Sequence, residues 1–459
     1  MFRSIQCIFF LISISSYLLS QVNQRPNIVL IVTDDQRWDA IGCSGNKIIH
    51  TPVMDKLASE SSYYKNAFVT TPICAASRAS IITGLYERTH DYTFGTPPLS
   101  SSYIDMSYPK LLRDNGYETG FFGKLGINME DGIDTSLFNI IWTARTAGYF
   151  RLQGQSGQEH IHLTDLTTNK AIEFIDQRDR SKPFCLSISY NAPHADDQSV
   201  QQYFWPERND HLYQDITIPD PNLGQNKDLA ALPDFVSDST TISRLRWHWR
   251  YNSPEKYQRM VKGYYRMIST IDDNLGRLRN KLEGQGIGDN TIIILIGDNG
   301  YFLGERQLAG KWLMYDNSLR VPLIIYDPRV AGTVKNEMAL NIDIAPTIID
   351  YAGIPIPDLI QGISLNARTT KKGQAIRTQF HCEHHFNNKY IPKSEGLRTD
   401  QYKYFRYIDY PEVEELYDLK KDPLETINLA RDLKYRYRLN LMRQQTDDKI
   451  KVLTKASLD

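Results

Sequence analysis

Residues 27–35 read Asn-Ile-Val-Leu-Ile-Val-Thr-Asp-Asp, an apolar run that stops at two carboxylates. A continuous run of β-branched and aliphatic residues predicts a strand that is buried on both faces, as in a parallel sheet. The pattern recurs at residues 291–300, where Thr-Ile-Ile-Ile-Leu-Ile runs into Gly-Asp-Asn-Gly. We therefore expect two strands in the interior of one parallel sheet.

Helical segments alternate with these strands. Further strands are predicted at 184–189 and 321–326, and helices at 55–61, 75–85, 108–115, 163–178 and 257–283. Alternation of strands and helices predicts an α/β fold, with a large and mostly parallel sheet flanked by helices.

Two parts of the chain depart from this alternation. Residues 195–256 contain several prolines and tryptophans and predict a long loop insertion over one edge of the sheet. From residue 366 onward, short strands and a charged terminal helix predict a small C-terminal α+β subdomain. We expect a large domain over 21–365 and this subdomain over 366–459.

The composition excludes some classes of protein. The 459 residues carry 53 Lys and Arg against 54 Asp and Glu, for a net charge of −1. A nucleic-acid-binding protein would show a clear basic excess, so no nucleic-acid partner is expected. Apolar residues make up 41% and charged residues 23%, as in ordinary globular proteins.

The N-terminus resembles a secretion signal. Arg3 precedes an apolar run over 5–19, which is short for a membrane span of about 20 residues. This pattern predicts a signal peptide over 1–20 and export to the periplasm or the medium, with no membrane span in the mature chain. An uncleaved anchor is the alternative.

The two strand ends predict a metal site. In open α/β sheets ligands bind beyond the carboxyl ends of the strands, where Asp34, Asp35, Asp298 and Asn299 all fall. Carboxylate and amide oxygens are the ligands that Ca²⁺ and Mg²⁺ prefer. Each pair taken alone is also compatible with an ordinary turn or helix cap.

Cys74 opens the sequence Cys-Ala-Ala-Ser-Arg, which ends at Arg78. Pro72 precedes a predicted helix, and a helix N-terminus stabilises negative charge. Arg78 lies one turn further along the same face. This arrangement fits a nucleophile that faces an anionic substrate, although a buried structural cysteine is the alternative. The other cysteines, apart from Cys7 in the signal, show no tight disulfide framework.

The Cys74–Arg78 motif, followed by Thr83 and Gly84, resembles the signature of the formylglycine-dependent sulfatases. Blocks that resemble the same family follow one another along nearly the entire mature chain: 25–35, 123–124, 192–194, 297–300, 310–311, 315–322, 343–347, 362–365, 397–404 and 415–419. The resemblance implies an alkaline-phosphatase-like α/β sandwich and hydrolysis of sulfate esters, with a sulfated carbohydrate as substrate.

The resemblance also implies the roles of the site residues. A formylglycine-generating maturation enzyme would convert Cys74 to 3-oxoalanine, whose hydrate has one hydroxyl to attack sulfur and a second to expel sulfate. The cation, Ca²⁺ with Mg²⁺ as alternative, would be held by Asp34, Asp35, Asp298, Asn299 and residue 74. Arg78 would hold the formylglycine hydroxyl, Lys124 and Lys311 would clamp the sulfuryl oxygens, and His194 would protonate the leaving alcohol.

One position departs from the family pattern. Family members commonly carry His two residues after the Lys of the Gly-Lys block, where this chain has Gly126 after Lys124 and Leu125. His162 is a candidate to replace that histidine, and a surface role is the alternative.

Aromatic and basic residues suggest where a sugar binds. Aromatic faces pack on sugar rings and arginines bind carboxylates or sulfates, so candidate substrate-binding residues are Trp247, His248 and Arg250. A loop at 381–385 adds His384 and His385, and without a second ligand cluster it is not expected to bind zinc. Packing within the loop is the alternative for Trp247, His248 and Arg250, and an ordinary surface loop is the alternative for His384 and His385.

Two other functions stay open. A phosphodiester or phosphonate monoester hydrolase of the same superfamily would use similar residues. A non-catalytic binder of sulfated glycans is compatible with the missing histidine.

Overall fold

The computed structural model describes residues 25–130, 134–144, 148–153, 159–368 and 377–457. The predicted signal peptide over 1–20 lies outside the described residues. Within the part of the chain that is described, no helix has the length and apolarity needed to cross a membrane.

An eight-stranded sheet forms the centre of the larger part of the chain, in the order β12-β2-β11-β8-β1-β7-β3-β4. Of these strands β11 runs antiparallel to its neighbours and the others run parallel to one another. The eight are β1 (Asn27–Thr33), β2 (Ser62–Phe68), β3 (Glu118–Gly123), β4 (Ile140–Thr143), β7 (Phe184–Ser189), β8 (Thr291–Gly297), β11 (Leu323–Tyr326) and β12 (Thr333–Leu340).

Helices cover both faces of this sheet. The longer ones are α1 (Pro52–Ser59), α2 (Cys74–Thr83), α5 (Tyr108–Asp114), α7 (Leu163–Gln177), α10 (Ile242–Arg250), α11 (Pro254–Gly284) and α13 (Ile344–Tyr351). The short ones are α3 (Glu87–His90), α4 (Ser101–Ile104), α6 (Asp134–Leu137), α8 (Asn226–Ala230), α9 (Asp234–Ser237) and α12 (Asp316–Leu319).

The apolar run of β1 is explained by two separate hydrophobic clusters. Alternate residues face opposite ways along a strand. Ile28 and Leu30 contribute to the cluster that includes α2, α5 and α13, whereas Val29 and Ile31 contribute to the cluster that includes α1, α7 and α11. The predicted α/β sandwich, with strands buried on both faces, is confirmed.

The strand register aligns several carboxyl ends. Thr33 of β1 is paired with Gly297 of β8, and Val32 is paired with Ser189 of β7. Ser189 is in turn paired with Gly123 of β3. The residues that follow these positions therefore emerge side by side at one edge of the sheet.

The C-terminal region forms its own antiparallel sheet, β13-β14-β15-β16, against which the terminal helix α14 (Arg436–Lys455) packs. Its strands are β13 (Gln379–His384), β14 (Ser394–Thr399), β15 (Tyr402–Tyr407) and β16 (Tyr410–Asp418). The predicted C-terminal α+β subdomain is confirmed. The described residues also include two small two-stranded sheets, formed by β5 (Phe150–Gln153) with β6 (Glu159–His162) and by β9 (Phe302–Leu303) with β10 (Ala309–Gly310).

Two loop predictions are wrong. The segment 195–256 contains α8, α9, α10 and the first turn of α11, and α10 lies against β10. Residues 382–384 belong to β13, because Cys382 and His384 pair with Gly396 and Ser394 of β14.

Candidate active site

The ends of β1 and β8 bring four oxygen-bearing side chains together. Asp298 N donates to Thr33 O at 2.9 Å, and Asp35 N donates to Asp298 Oδ1 at 3.0 Å. Asn299 Nδ2 donates to Asp35 Oδ1 at 2.6 Å. Asp34, Asp35, Asp298 and Asn299 are each at most 2% exposed. The two oxygen-rich strand ends thus form one buried cluster.

Lys124 joins this cluster from the end of β3. Gly123 has φ +115°, and a Cβ there would lie 2.0 Å from Ser189 O, so only glycine permits this approach of β3 to β7. Lys124 N then donates to Ser189 O at 2.8 Å. The Lys124 ammonium pairs with Asp34 Oδ2.

Arg78 projects into the cluster from α2. Its Nε lies 2.8 Å from Asp298 Oδ2, and Nη2 lies 3.5 Å from Asp34 Oδ2. Nη1 donates to Lys124 O at 2.7 Å and also contacts the Ser189 hydroxyl. The guanidinium therefore links the helix that begins at Cys74 to four strand ends, those of β1, β3, β7 and β8.

Lys311 follows β10 and enters from a different loop. Trp312 N donates to Pro72 O at 3.0 Å, which fastens this loop to the segment before Cys74. Lys311 Nζ lies 2.5 Å from Asp35 Oδ1 and 3.8 Å from Asp34 Oδ1.

His194 lies in the loop after β7. Its Nδ1 lies 2.6 Å from Ala195 O, so this nitrogen carries a hydrogen and donates it to the carbonyl. Its Nε2 lies 3.7 Å from Asp35 Oδ2. Burial lowers the pKa of His194, against the opposing effect of Asp35 and Asp34.

The charges in the cluster separate the pKa values of its carboxyls. Burial alone would raise the pKa of Asp34, but Lys124, His194, Lys311 and Arg78 lower it overall. Burial and the charge of Asp34 raise the pKa of Asp298 to about 6. Neighbouring carboxylates of this kind are stabilised by a cation.

Within this cluster, two buried oxygens lack a hydrogen-bond donor among the described residues. These are Asp34 Oδ1 and Asn299 Oδ1. Buried polar atoms are rarely left without a partner, and a hard cation satisfies oxygens of this kind. The ligand atoms of Asp34, Asp35 and His194 also lie within 4.8 Å of one another. Because hard cations prefer oxygen to imidazole nitrogen, the residues fit a Ca²⁺ or Mg²⁺ held by the oxygens.

Cys74 is the first residue of α2 and is 6% exposed. Arg78, Lys124 and Lys311 all interact electrostatically with it. A residue at this helix N-terminus is thus surrounded by three cationic side chains, which suits the binding of an anion. The described cysteines Cys43, Cys74, Cys185 and Cys382 are all unpaired as thiols.

Gly126 lies directly against the cluster. It has φ +69°, and a Cβ there would lie 3.0 Å from Arg78 Cδ and 3.6 Å from Lys124 Cε. A side chain at this position would strain both the backbone and the contact with Arg78. A histidine at position 126 would therefore meet both a left-handed backbone and a tight contact with Arg78.

His162 does not replace that histidine. It is 2% exposed and caps α7, since its Nδ1 accepts from Thr164 N at 3.3 Å. Its Nε2 lies 3.0 Å from Phe204 O. Both ring nitrogens are used to hold the loop, so the structure gives His162 a structural position.

The α10 candidates differ in their surroundings. Arg250 is 1% exposed, and its Nη1 donates to the Tyr301 hydroxyl at 2.5 Å. It also forms an ion pair with Asp197, and Asp197 forms a second ion pair with Arg246. Arg250 is therefore buried and held by protein side chains, which favours the alternative of packing within the loop over the binding of a substrate anion. Trp247 is partly buried beneath Arg244, and His248 is exposed beside it.

His381 and His385 belong to a network centred on the Glu383 carboxylate. Glu383 Oε2 lies 3.0 Å from His381 Nε2, 3.1 Å from His385 Nε2 and 2.9 Å from Arg88 Nε. Arg88 extends the network to Glu395 at 2.7 Å. His384 is fully buried, so a surface position for it is excluded. The network joins the C-terminal sheet to α3.

Sequence reasoning missed a cavity beside the cluster. This cavity of about 190 Å³ is lined by Lys124, Tyr149, Asn191, His194, Ala195, Asp196, Asp197 and Gln198. The Tyr149 hydroxyl donates to Asn191 O at 2.9 Å and contacts His194 O, which holds the loop in place. The block at 192–194 marks this loop, but nothing in the sequence places Tyr149 beside it.

Family models match most of the chain. Residues 26–354 match the model described as Sulfatase, and residues 304–452 match the model described as N-sulphoglucosamine sulphohydrolase, C-terminal. An N-acetylglucosamine-6-O-sulfatase from Bacteroides thetaiotaomicron is 28% identical over 90% of this chain and 84% of its own length.

Solved structures have the same fold. One, in complex with its substrate D-glucosamine-2-N,6-O-disulfate, is 26% identical with a TM-score of 0.76, over 94% of this chain and 99% of its own. The phosphonate monoester hydrolase of Agrobacterium radiobacter has a TM-score of 0.75 over 94% and 96% of the two chains. At 20% identity that second likeness shows the fold alone. From the match over residues 26–354, the chain belongs to the sulfatase family and is an enzyme of that family.

Proposed function

We propose that this enzyme hydrolyses sulfate esters on a sulfated carbohydrate, with a formylglycine made from Cys74 as nucleophile and a divalent cation as cofactor. The observation that carries the proposal is the buried cluster in which Arg78, Lys124 and Lys311 surround Cys74 beside the oxygens of two strand ends. The N-acetylglucosamine-6-O-sulfatase and the disulfated glucosamine named above support the carbohydrate.

The cationic side chains bind and orient the sulfate group. Lys124 and Lys311 supply ammonium groups in a buried site, where a charge interaction is worth more than in water. Arg78 has its Nη2 without a hydrogen-bond partner among the described residues, so it has a donor to offer to residue 74 or to the substrate. These groups stabilise negative charge as it grows on the sulfuryl oxygens.

His194 donates a proton to the leaving alcohol. Because Nδ1 donates to Ala195 O, the proton to be transferred is held on Nε2. The lowered pKa of His194, caused by burial, makes its imidazolium a stronger acid than an exposed one.

Asp34, Asp35, Asp298 and Asn299 would hold Ca²⁺, with Mg²⁺ as the alternative. The cation would supply Lewis acidity, and a hydrated formylglycine would supply a hydroxyl nucleophile with a second hydroxyl on the same carbon. A formylglycine-generating enzyme is the partner that this modification requires.

The proposal extends to the division of the chain and to its location. We assign the catalytic domain to 21–365 and the C-terminal subdomain to 366–459. We also assign the protein to the periplasm or the medium, after removal of residues 1–20 as a signal peptide.

Side-by-side rates test the reaction. The enzyme, co-produced with a formylglycine-generating enzyme, is given sulfated oligosaccharides, an aryl sulfate and an aryl phosphodiester, and released sulfate or phenol is measured. We expect turnover of the aryl sulfate and of at least one oligosaccharide. A preference for the phosphodiester would identify a phosphodiester or phosphonate monoester hydrolase instead. Binding of a sulfated glycan without turnover would identify a binder.

A further inference from the structure

Lys311 lies between two residues that have a left-handed backbone. Gly310 has φ +110° and Trp312 has φ +81°. Glycine adopts this region freely, whereas a bulky L-residue does so only where its surroundings hold it there. The direction of a side chain follows from the backbone angles at and beside its own residue. The two left-handed neighbours therefore direct Lys311 toward the carboxylates, where its Nζ lies 2.5 Å from Asp35 Oδ1.

The glycine at position 310 makes room for the Trp312 ring. A Cβ at Gly310 would lie 2.7 Å from Trp312 Cζ3, which is closer than ordinary van der Waals contact. The indole thus lies against the backbone of β10, on the far side of Lys311 along the chain. Any larger residue at position 310 would press on the ring as well as strain the backbone.

Contacts from three other segments hold Trp312 in this conformation. Its backbone N donates to Pro72 O at 3.0 Å. Arg246 of α10 lies over the ring, with its Cζ 4.8 Å from the ring centroid. The side chain is buried, and it belongs to a hydrophobic cluster with three other buried residues, Ile73, Ala76 and Ile391. The unusual backbone at Trp312 is thus maintained by the burial of its indole.

The same contacts relate Lys311 to the nucleophile position. Ile73 and Ala76 flank Cys74 at the start of α2, and both belong to the cluster that contains the indole. Without the indole, the backbone at position 312 is free to return to an ordinary conformation, and the neighbouring Lys311 side chain turns with it. The placement of the Lys311 ammonium in the buried cluster therefore depends on the Trp312 side chain.

We propose that Trp312 is a positioning residue for the sulfatase reaction and that it acts through Lys311. Its buried indole holds a left-handed backbone, and this backbone keeps the Lys311 ammonium in the catalytic cluster. Lys311 meets the sulfate group, and Trp312 fixes the direction of Lys311. The inference rests on the proposed hydrolysis of sulfate esters and adds a residue to the machinery of that reaction.

A double-mutant cycle on an aryl sulfate tests whether Trp312 acts through Lys311. The wild type, Trp312→Ala, Lys311→Met and the double variant, all containing formylglycine, are compared by kcat and KM. We expect Trp312→Ala alone to lower kcat about 30-fold or more, with KM within about threefold of the wild type. In the Lys311→Met background the same change should lower kcat less than about threefold, because residues that act as a unit are not additive.

Two results of this cycle would overturn the inference while leaving the sulfatase function intact. One is an unchanged kcat in Trp312→Ala. The other is an equal loss of kcat in both backgrounds, which would show that Trp312 has a general structural role. No turnover of the aryl sulfate by formylglycine-containing wild type would overturn the proposed reaction, and this inference with it.

Three further variants separate positioning from packing. Trp312→Gly removes the indole but accepts a left-handed backbone at no steric cost, so its kcat should exceed that of Trp312→Ala at least about threefold. A packing role predicts the reverse order, because glycine also destabilises the fold relative to alanine. Trp312→Phe keeps an aromatic ring and should retain at least about a third of the wild-type kcat.

The matched control is Trp249→Ala, at a tryptophan of α10 that is 45% exposed, and it should leave kcat, KM and Tm unchanged. If Trp312→Ala does not fold, Trp312→Gly takes its place in the double-mutant cycle with the same criterion of non-additivity. A Trp312→Gly variant no faster than a folded Trp312→Ala would contradict the role of the left-handed backbone.

Discussion

Arg78 Nε lies 2.8 Å from Asp298 Oδ2, and this ion pair ties the helix that begins at Cys74 to the carboxyl end of β8. The same guanidinium donates from Nη1 to Lys124 O at the end of β3. One buried arginine therefore sets the distance between the nucleophile position and two of the strand ends that carry charge.

Replacing Arg78 by Ala should impair both stability and turnover. The change leaves Asp298 buried without its partner, a loss of about 3–5 kcal/mol for a broken buried pair. Sulfate release should fall at least about 100-fold, as for other lost charge-stabilising groups. Tm and initial rates measure the two effects. Arg431→Ala, at an exposed arginine, should change neither, and a fully active Arg78→Ala would contradict the placement of Arg78 in the site.

Asp298→Asn should weaken calcium binding. The variant keeps the size of the side chain but removes one negative charge from the buried cluster that also contains the unpartnered oxygens Asp34 Oδ1 and Asn299 Oδ1. We expect the Kd for Ca²⁺, measured by titration calorimetry, to rise at least about tenfold. Asp289→Asn, exposed in the turn before β8, is the matched control. Unchanged calcium affinity in Asp298→Asn would show that the cation, if bound, lies elsewhere.

Lys311→Met should lower kcat more than it raises KM. The Lys311 side chain is 3% exposed, and its Nζ lies 2.5 Å from Asp35 Oδ1. Its charge therefore acts in a site that is shielded from water. Loss of a group that stabilises transition-state charge costs about 100- to 1,000-fold in kcat. Lys311→Arg should restore part of the rate, and the exposed Lys420→Met should have no effect. A rise in KM alone would assign Lys311 to substrate binding only.

Glu383→Gln should destabilise the protein at neutral pH but not in acid. Burial alone would raise the pKa of Glu383, but His381 and His385 hold it well below the ordinary 4.5. A carboxyl with a lowered pKa stabilises the fold above pH 4.5, and the contribution is lost as pH falls through the lowered value. Chemical unfolding of the wild type and the variant, at pH values from about 3 to about 7, measures the difference between their free energies of unfolding. Glu412→Gln, at an exposed position, is the control. If the difference in free energy of unfolding between wild type and Glu383→Gln does not become smaller in acid, Glu383 does not stabilise the fold through its charge.

The central strands and the metal cluster follow from local sequence. Residues 28–32 of β1 and 292–296 of β8 are all apolar because both faces of each strand are covered, and both runs are followed by oxygen-bearing residues. Parallel strands place their carboxyl ends together, so the proximity of Asp34 and Asp298 is a consequence of topology. Only the family resemblance predicted the other site residues, Lys124, His194 and Lys311. A single lysine or histidine in a loop has no local sequence pattern that marks it as functional.

What the sequence could not show depends on contacts between distant segments. β2 carries Ser-Tyr-Tyr-Lys-Asn-Ala-Phe, with Lys65 exposed near the sheet edge, and so has no continuous apolar run. Arginine is a common anion-binding residue, so the sequence made Arg250 a candidate, and only the fold shows that Asp197 lies against it. The cavity beside the cluster likewise depends on the fold, which brings Tyr149 against the loop that contains Asn191 and Asp197.

Sulfate release as a function of the fraction of Cys74 converted to formylglycine tests the central claim most directly. Enzyme preparations with different extents of conversion, quantified by mass spectrometry of the peptide that contains Cys74, are compared on one substrate. We expect the rate to be proportional to the converted fraction and to vanish for unmodified protein and for Cys74→Ala. Turnover by unmodified protein at an undiminished rate, or no sulfate release by fully converted protein, would contradict the account.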